Sequence, residues 1–129
     1  MVKSKAGLRV LKAVIRKFVN ERNWEQFHSP KNLSMSLAIE AAELMEHFQW
    51  TNTVKEAVDI LADKKKRPEI EDEIADIAIY LVDFCNLYGV DLEKAVFRKI
   101  RKNSKKYPVK LAKGKIDKYT TYKRKSCSG

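Results

Sequence analysis

The sequence predicts an all-α protein with four main helices arranged as a bundle. Apolar residues recur at helical spacing along most of the chain, and no segment shows the two-residue alternation typical of a strand. The 129 residues include only four glycines and three prolines, which leaves few turn residues for an all-β domain. A chain of this length is expected to form one domain with a sizeable core.

The first two predicted helices are joined by a connection rich in aromatic residues. Apolar spacing predicts a helix over residues 8–22. The connection NWEQFHSPKN contains Ser29 and Pro30, a pair typical of a helix N-cap and the first helical position. A second helix is therefore expected to begin at about Pro30 or Leu33 and to reach Phe48.

Signals for helix ends divide the rest of the chain. A short amphipathic helix is predicted within TVKEAVDILADK, residues 53–64, and the basic run KKKR is predicted to be a solvated break. The next helix is expected to begin at Pro68 and to stop at Gly89. Asp91 can cap a last long helix that ends before Pro108.

The positive charge is concentrated at the C-terminal end. Residues 98–129 contain thirteen lysines and arginines and one acid, Asp117, whereas the rest of the chain has a net charge of −2. Periodicity is weak after the last helix, so we predict a domain over residues 1–108 and an irregular, mobile tail over residues 109–129. Such a basic segment is also a candidate nucleic-acid-binding surface.

Cysteine usage and hydropathy are typical of a cytoplasmic protein. Cys85 and Cys127 provide neither a disulfide framework nor the spacing of a metal site. No apolar run is long enough to span a membrane, and the N-terminus lacks the apolar core of a signal peptide. We therefore expect a cytoplasmic protein that has no membrane partner.

Two predicted helices each carry a stripe of carboxylates between apolar residues. Glu40 and Glu43 lie three residues apart on the second helix, with His47 on the same stripe, and Glu73 and Asp76 repeat the pattern on the later helix. Apolar residues on both sides of a stripe are unlike a solvated helix face. The adjacent apolar faces, which are expected to pack in the core, consist of Leu33, Leu37, Ala41, Leu44 and Phe48 and of Ile70, Ile74, Ile77, Leu81 and Phe84.

Four carboxylates brought together would need a cation. They would repel one another and resist desolvation, and no lysine or arginine lies on either stripe. A hard divalent cation neutralises them well, and an all-oxygen ligand set favours Mg²⁺ or Mn²⁺ over zinc. A di-iron site fits poorly, because it uses Glu-x-x-His pairs that are absent from both stripes.

The acid spacing resembles that of a known family. EAAE, residues 40–43, followed about thirty residues later by EIAD, residues 73–76, resembles the split signature of the all-α nucleoside triphosphate pyrophosphohydrolases, the MazG-like group. ERNWEQFHSPKNLSMSLAIEAAELMEHFQW resembles the dCTP pyrophosphatase branch, and KNSKKYP resembles its closing element. The resemblance covers roughly residues 11–108. A second frame exists at Glu69 and Asp72, but only EIAD is followed by the family's apolar run.

The resemblance implies a MazG-type fold and an enzyme that converts a nucleoside triphosphate into the monophosphate and pyrophosphate. Deoxynucleotides such as dCTP are the expected substrates, and cleansing of the nucleotide pool is the expected purpose. Glu40, Glu43, Glu73 and Asp76 would be both catalytic residues and ligands of Mg²⁺, or alternatively of Mn²⁺. A homodimer, or a homotetramer built as a dimer of dimers, is also implied.

Further residues are candidates for substrate binding. Trp24 and Trp50 match aromatic positions around the base in the family, with Trp50 slightly favoured because it lies on the Glu43 side of its helix; alternatively, both indoles pack in the core. His28 and Tyr80 can contact the nucleotide, or they can form a loop hydrogen bond and pack. On the last helix, the side chains that can hold phosphate oxygens are Lys99, Asn103 and Lys106.

Two other functions stay open at this point. A helical protein that binds nucleic acid through its basic C-terminal region would explain the charge but not the acid stripes. A structural or toxin–antitoxin-associated helical partner without activity is the third possibility. Metal-dependent release of pyrophosphate would separate the enzyme from both, and we do not expect nucleic acid as a partner.

Overall fold

The computed structural model describes residues 7–127, which belong to two compact units that divide after Val90. No strand occurs among these residues, and the predicted all-α class is confirmed. No helix in the described part of the chain has both the length and the apolar composition needed to cross a membrane. The arrangement of four helices as a bundle stays a prediction.

Four α-helices and one 3₁₀ helix lie in the described part of the first unit, residues 7–90. In chain order they are α1 (Leu8–Glu21), the 3₁₀ helix (Glu25–Phe27), α2 (Pro30–Glu46), α3 (Val54–Ala62) and α4 (Lys66–Tyr88). Helix α4 is the central element, because it packs against α1, α2 and α3. Asn86 stabilises one of these contacts by donating a hydrogen bond to the carbonyl of Lys12 at 2.9 Å.

Two predicted helix ends are confirmed by the groups that satisfy the backbone there. Ser29 caps α2, because its hydroxyl accepts from the N–H of Asn32 at 3.1 Å, and Pro30 takes the first helical position. Gly89 ends α4 with φ at 64°, in the left-handed region that residues with a Cβ seldom adopt.

Helix α4 begins two residues before Pro68, its predicted start. One carboxylate oxygen of Asp63 accepts from the backbone N–H of Lys65 at 2.7 Å and from that of Lys66 at 3.0 Å. These bonds satisfy donors at the helix start and hold the pKa of Asp63 below its usual value. Lys66 and Arg67, which were predicted to lie in a solvated break, are therefore helical.

Residues of α1, α2 and α4 form the core of the first unit. The buried apolar side chains include Ile15, Val19, Leu33, Ile70, Val82 and Cys85. Leu33 and Ile70 are buried, as their positions on the predicted apolar faces require. Ile74 and Leu81 lie on the same predicted face as Ile70 but are exposed. The reason is that the acidic stripe of α4 turns inward, so that Glu73 and Asp76 are half-buried while these two positions rotate toward solvent.

The second unit contains α5 (Leu92–Lys106), α6 (Val109–Ala112) and α7 (Tyr119–Ser126). Asp91 caps α5 as predicted, and its carboxylate accepts from the N–H of Lys94 at 3.0 Å. The prediction of an irregular segment after Pro108 is wrong, because α6 and α7 lie there.

One aromatic side chain of this helical segment is buried. Tyr122 on α7 is 2% exposed and packs edge-on against Tyr107, with ring centroids 6.0 Å apart. Its hydroxyl also accepts from the backbone N–H of Asp117 at 3.3 Å. Residues 1–6 of the predicted domain and residues 128–129 of the predicted tail lie outside the described residues. A functional boundary at Pro108 stays a prediction.

Candidate active site

The two acid stripes meet where α2 packs against α4. Glu40 on α2 and Glu73 and Asp76 on α4 each offer one carboxylate oxygen, and these three oxygens lie within 4.8 Å of one another. All three residues are half-buried. The structure therefore brings together three of the four predicted ligands in an arrangement that one cation can bridge.

The fourth predicted ligand, Glu43, lies at the exposed edge of this acid cluster. It lies close enough to Glu40 and Glu73 for its charge to act on both carboxyl groups. Burial and the charge of Glu43 raise the pKa of Glu40 and the pKa of Glu73 above the usual value of 4.5. A protonated His47 opposes the rise in the pKa of Glu73, because its Nε2 lies 3.9 Å from Oε1 of Glu73.

The chemistry of the cluster fits a hard divalent cation. Its donors are carboxylate oxygens, which suit Mg²⁺ or Mn²⁺ better than zinc. No lysine or arginine between residues 7 and 90 forms an ion pair with Glu40, Glu43, Glu73 or Asp76. The raised pKa values of Glu40 and Glu73 show that burial and the neighbouring carboxylates make the ionised forms unfavourable. A bound cation would stabilise these ionised forms.

A cavity of about 240 Å³ opens beside the acid cluster on the side of Glu40 and Asp76. Three residues predicted to bind substrate, Trp24, His28 and Tyr80, line it together with these two acids. Trp24 is held in place by Phe18 of α1, whose ring meets the indole edge-on with centroids 5.7 Å apart. The flat apolar indole of Trp24 suits the stacking of a nucleoside base, while the phosphates of the same nucleotide reach the acids.

Trp50 lies elsewhere. It lines a second cavity, of about 480 Å³, with Glu43 and Glu73 on the other side of the cluster. Its side chain is 85% exposed, whereas Trp24 is 42% exposed. The two tryptophans therefore line different cavities, whereas the family resemblance predicts that both lie around the base.

Asp83, the buried partner of His28, is not among the site residues that the sequence predicts. The Nδ1 atom of His28 lies 2.7 Å from Oδ2 of Asp83, and Asp83 is 2% exposed. A signal was present, because Asp83 continues the stripe of Asp76 and Tyr80 at helical spacing along α4. The signal is weak, because no other acid lies three or four residues from Asp83 in the sequence.

The candidate phosphate-binding residues Lys99, Asn103 and Lys106 lie on α5, in the second unit. Within that unit, the ammonium group of Lys106 lies 4.9 Å from the ring centroid of Tyr119, a cation–π distance. The carbonyl of Asn103 accepts from the N–H of Tyr107 at 2.8 Å. Their role toward the acid cluster stays a prediction.

Comparisons with known proteins identify the family of this chain. Residues 35–121 match the model of the MazG-like family. The dCTP pyrophosphatase 1 of Rattus norvegicus is 40% identical over 111 residues, which cover 86% of this chain and 65% of the relative. For the dCTP pyrophosphatase 1 of Homo sapiens, the identity is 41% over 103 residues, covering 80% of this chain and 60% of the relative. The chain thus spans less than two thirds of the length of these relatives.

A solved structure is also similar to this chain. A pyrophosphatase from Archaeoglobus fulgidus DSM 4304 is 39% identical, with a TM-score of 0.75, and the likeness covers 84% of this chain and 98% of that one. The family match alone extends over more than half of the residues and includes all four acids of the cluster. The chain therefore belongs to the MazG-like family.

Proposed function

We propose that this protein is a metal-dependent nucleoside triphosphate pyrophosphohydrolase, which cleaves the bond between the α and β phosphates. The observation that carries the proposal is the approach of Glu40, Glu73 and Asp76, whose oxygens lie within 4.8 Å of one another. Family membership and the names of the relatives, dCTP pyrophosphatase 1 and a pyrophosphatase, support the same reaction. Mg²⁺ is the proposed cofactor, with Mn²⁺ as the alternative.

Each acid has a proposed part in the reaction. Glu40, Glu73 and Asp76 would hold the metal, and Glu43, whose charge acts on Glu40 and Glu73, would complete this ligand set. When bound there, the ion would screen the phosphates from the carboxylates and lower the pKa of a bound water. One of the four carboxylates would accept the proton of the attacking water.

We propose that the substrate binds in the cavity beside Glu40 and Asp76. The phosphates would lie at the acids, and the nucleoside would extend toward Trp24, His28 and Tyr80. The candidate phosphate ligands of α5 fall within the part of the chain that matches the family model; these are Lys99, Asn103 and Lys106. We propose dCTP and related deoxynucleotides as substrates, in keeping with the relatives' name, and nucleotide-pool cleansing in the cytoplasm as the purpose.

The proposed reaction is tested by its products. Purified protein incubated with Mg²⁺ and a panel of ribo- and deoxynucleoside triphosphates is expected to release monophosphate and pyrophosphate in equal amounts, fastest with dCTP or a related deoxynucleotide. We expect EDTA to abolish the reaction, because the acids alone repel the substrate, and excess Mg²⁺ or Mn²⁺ to restore it. ³¹P NMR spectroscopy distinguishes pyrophosphate from orthophosphate. Release of orthophosphate alone, or the absence of any metal-dependent reaction, would contradict the proposal.

We also propose that the protein assembles as a homodimer or as a homotetramer made of two dimers. Large apolar side chains are exposed at helical spacing on α1, where Val10, Val14 and Phe18 lie on one side. The same holds for Val54 and Val58 on α3. Contiguous exposed apolar side chains of this kind are typical of protein–protein interfaces.

Light scattering tests the assembly directly. At micromolar concentration, the molar mass is expected to be two or four times that of one chain, because burial of the exposed apolar faces favours association. A monodisperse monomer under these conditions would contradict this proposal without affecting the proposed reaction.

A further inference from the structure

Asp83 is the starting point, because it is the one fully buried charged side chain in the described part of the chain. A buried carboxylate is unfavourable unless hydrogen bonds compensate for its lost hydration. Its partner here is the Nδ1 atom of His28, at 2.7 Å, from a segment 55 residues away in the sequence. The proposed chemistry at the acid cluster does not use this carboxylate.

His28 is held by its backbone as well as by its ring. Its N–H donates to the carbonyl of Glu25 at 3.1 Å, and its carbonyl accepts from the hydroxyl of Tyr88 at 2.7 Å. The ring lies beside Trp24, with centroids 6.2 Å apart. With the main chain fixed, the contact with Asp83 decides which way the imidazole faces.

The same contact decides where the imidazole carries its proton. An ionised carboxylate only accepts hydrogen bonds, so Nδ1 must carry the hydrogen that Asp83 binds. In the neutral ring, Nε2 then keeps a lone pair, and it has no hydrogen-bond partner among the described residues of the first unit, 7–90. His28 lines the cavity that also contains Glu40 and Asp76.

We propose that Asp83 is a positioning residue for nucleoside recognition. Its carboxylate holds His28 as the Nδ1–H tautomer, so that Nε2 accepts a hydrogen bond from a hydroxyl or amino group of the nucleoside. This proposal rests on the proposed function for the identity of the ligand as a nucleotide. A purely structural role for Asp83 would leave the tautomer of His28 without consequence for nucleotide binding.

The tautomer is measured on the protein without nucleotide. Two-bond ¹H–¹⁵N correlation spectra show which imidazole nitrogen carries the hydrogen, and the chain contains only two histidines, so His28→Gln assigns the signals. We expect the Nδ1–H pattern at His28 in the unmodified protein. Asp83→Asn should change this pattern, because an amide can donate to Nδ1 as well as accept from it.

Binding is measured with α,β-imido-dCTP and Mg²⁺ by calorimetry, because the imido bridge prevents hydrolysis. Asp83→Asn and His28→Gln are each expected to weaken binding about two- to twelvefold, as for one lost hydrogen bond. The double variant should bind no more weakly than His28→Gln alone, since Asp83 acts through His28. Glu71→Gln is the control on α4, because Glu71 is exposed and pairs with Arg67.

The outcomes separate this proposal from the proposed function. An Nε2–H tautomer in the unmodified protein, failure of the analogue to bind, or independent losses that multiply in the double variant would each overturn the role of Asp83. If Asp83→Asn does not fold, the tautomer of the unmodified protein and the affinity of His28→Gln still decide. A protein that binds the analogue as expected but hydrolyses no nucleotide would contradict only the proposed reaction.

Discussion

Replacing Asp76 with asparagine is expected to reduce turnover by more than about 100-fold. The change removes a charged oxygen ligand from the acid cluster while keeping the shape of the side chain. Loss of an outer-shell partner of a metal ligand typically costs roughly 10- to 100-fold, so loss of a direct ligand should cost more. Steady-state release of pyrophosphate measures the effect, and Glu43→Gln is expected to act in the same direction.

The matched control for this experiment is Asp72→Asn. Asp72 belongs to the second Glu-x-x-Asp frame on the same helix, but it is exposed. We expect near-normal turnover from this variant. Near-normal turnover of Asp76→Asn instead would exclude that residue as an essential ligand.

The stability of the metal-free protein should move in the opposite direction from activity. A carboxyl group whose pKa is higher in the folded protein than in the unfolded chain destabilises the fold as pH rises from its ordinary value, 4.5, through the raised pKa. In EDTA, Glu40→Gln should therefore melt at a higher temperature than the unmodified protein at neutral pH. The difference should shrink toward zero below pH 4.5, and equal melting temperatures at all pH values would contradict the repulsion.

Replacing Trp24 with alanine is expected to raise KM about 5- to 150-fold. A stacked base typically contributes roughly 1–3 kcal/mol to binding, and Trp24 lines the cavity that contains Glu40 and Asp76. Turnover at saturating substrate should change less, because the acid cluster stays intact. Steady-state kinetics give both parameters, and quenching of indole fluorescence by a non-hydrolysable nucleotide reports the contact directly.

Trp50→Ala is the comparison for this prediction. The sequence favours Trp50 slightly, but its 85% exposed side chain lies in the other cavity. We therefore expect the smaller change in KM from this variant. A normal KM in well-folded Trp24→Ala, with only a lower melting temperature, would show that Trp24 packs against Phe18 without binding the base. A larger increase in KM for Trp50→Ala than for Trp24→Ala would show that Trp50 is the residue that binds the base.

The sequence by itself determined the features that depend on neighbours along the chain. The caps at Ser29 and Asp91 and the stop at Gly89 each involve residues a few positions apart, so their signals are local. The carboxylate pairs were equally visible, because residues three apart share one face of a helix whatever it packs against. The family resemblance then gave the pairs of residues 40–43 and 73–76 a shared role.

Only the tertiary structure decided which distant side chains meet. The approach of Glu40 to Asp76 depends on how α2 turns against α4, and helical periodicity does not fix that rotation. The same packing buried Asp83 against His28 and placed Trp24, but not Trp50, in the cavity beside Asp76. The reason is physical: a hydrogen bond or a shared cavity between segments far apart in sequence depends on the relative position of whole helices, which packing energy sets.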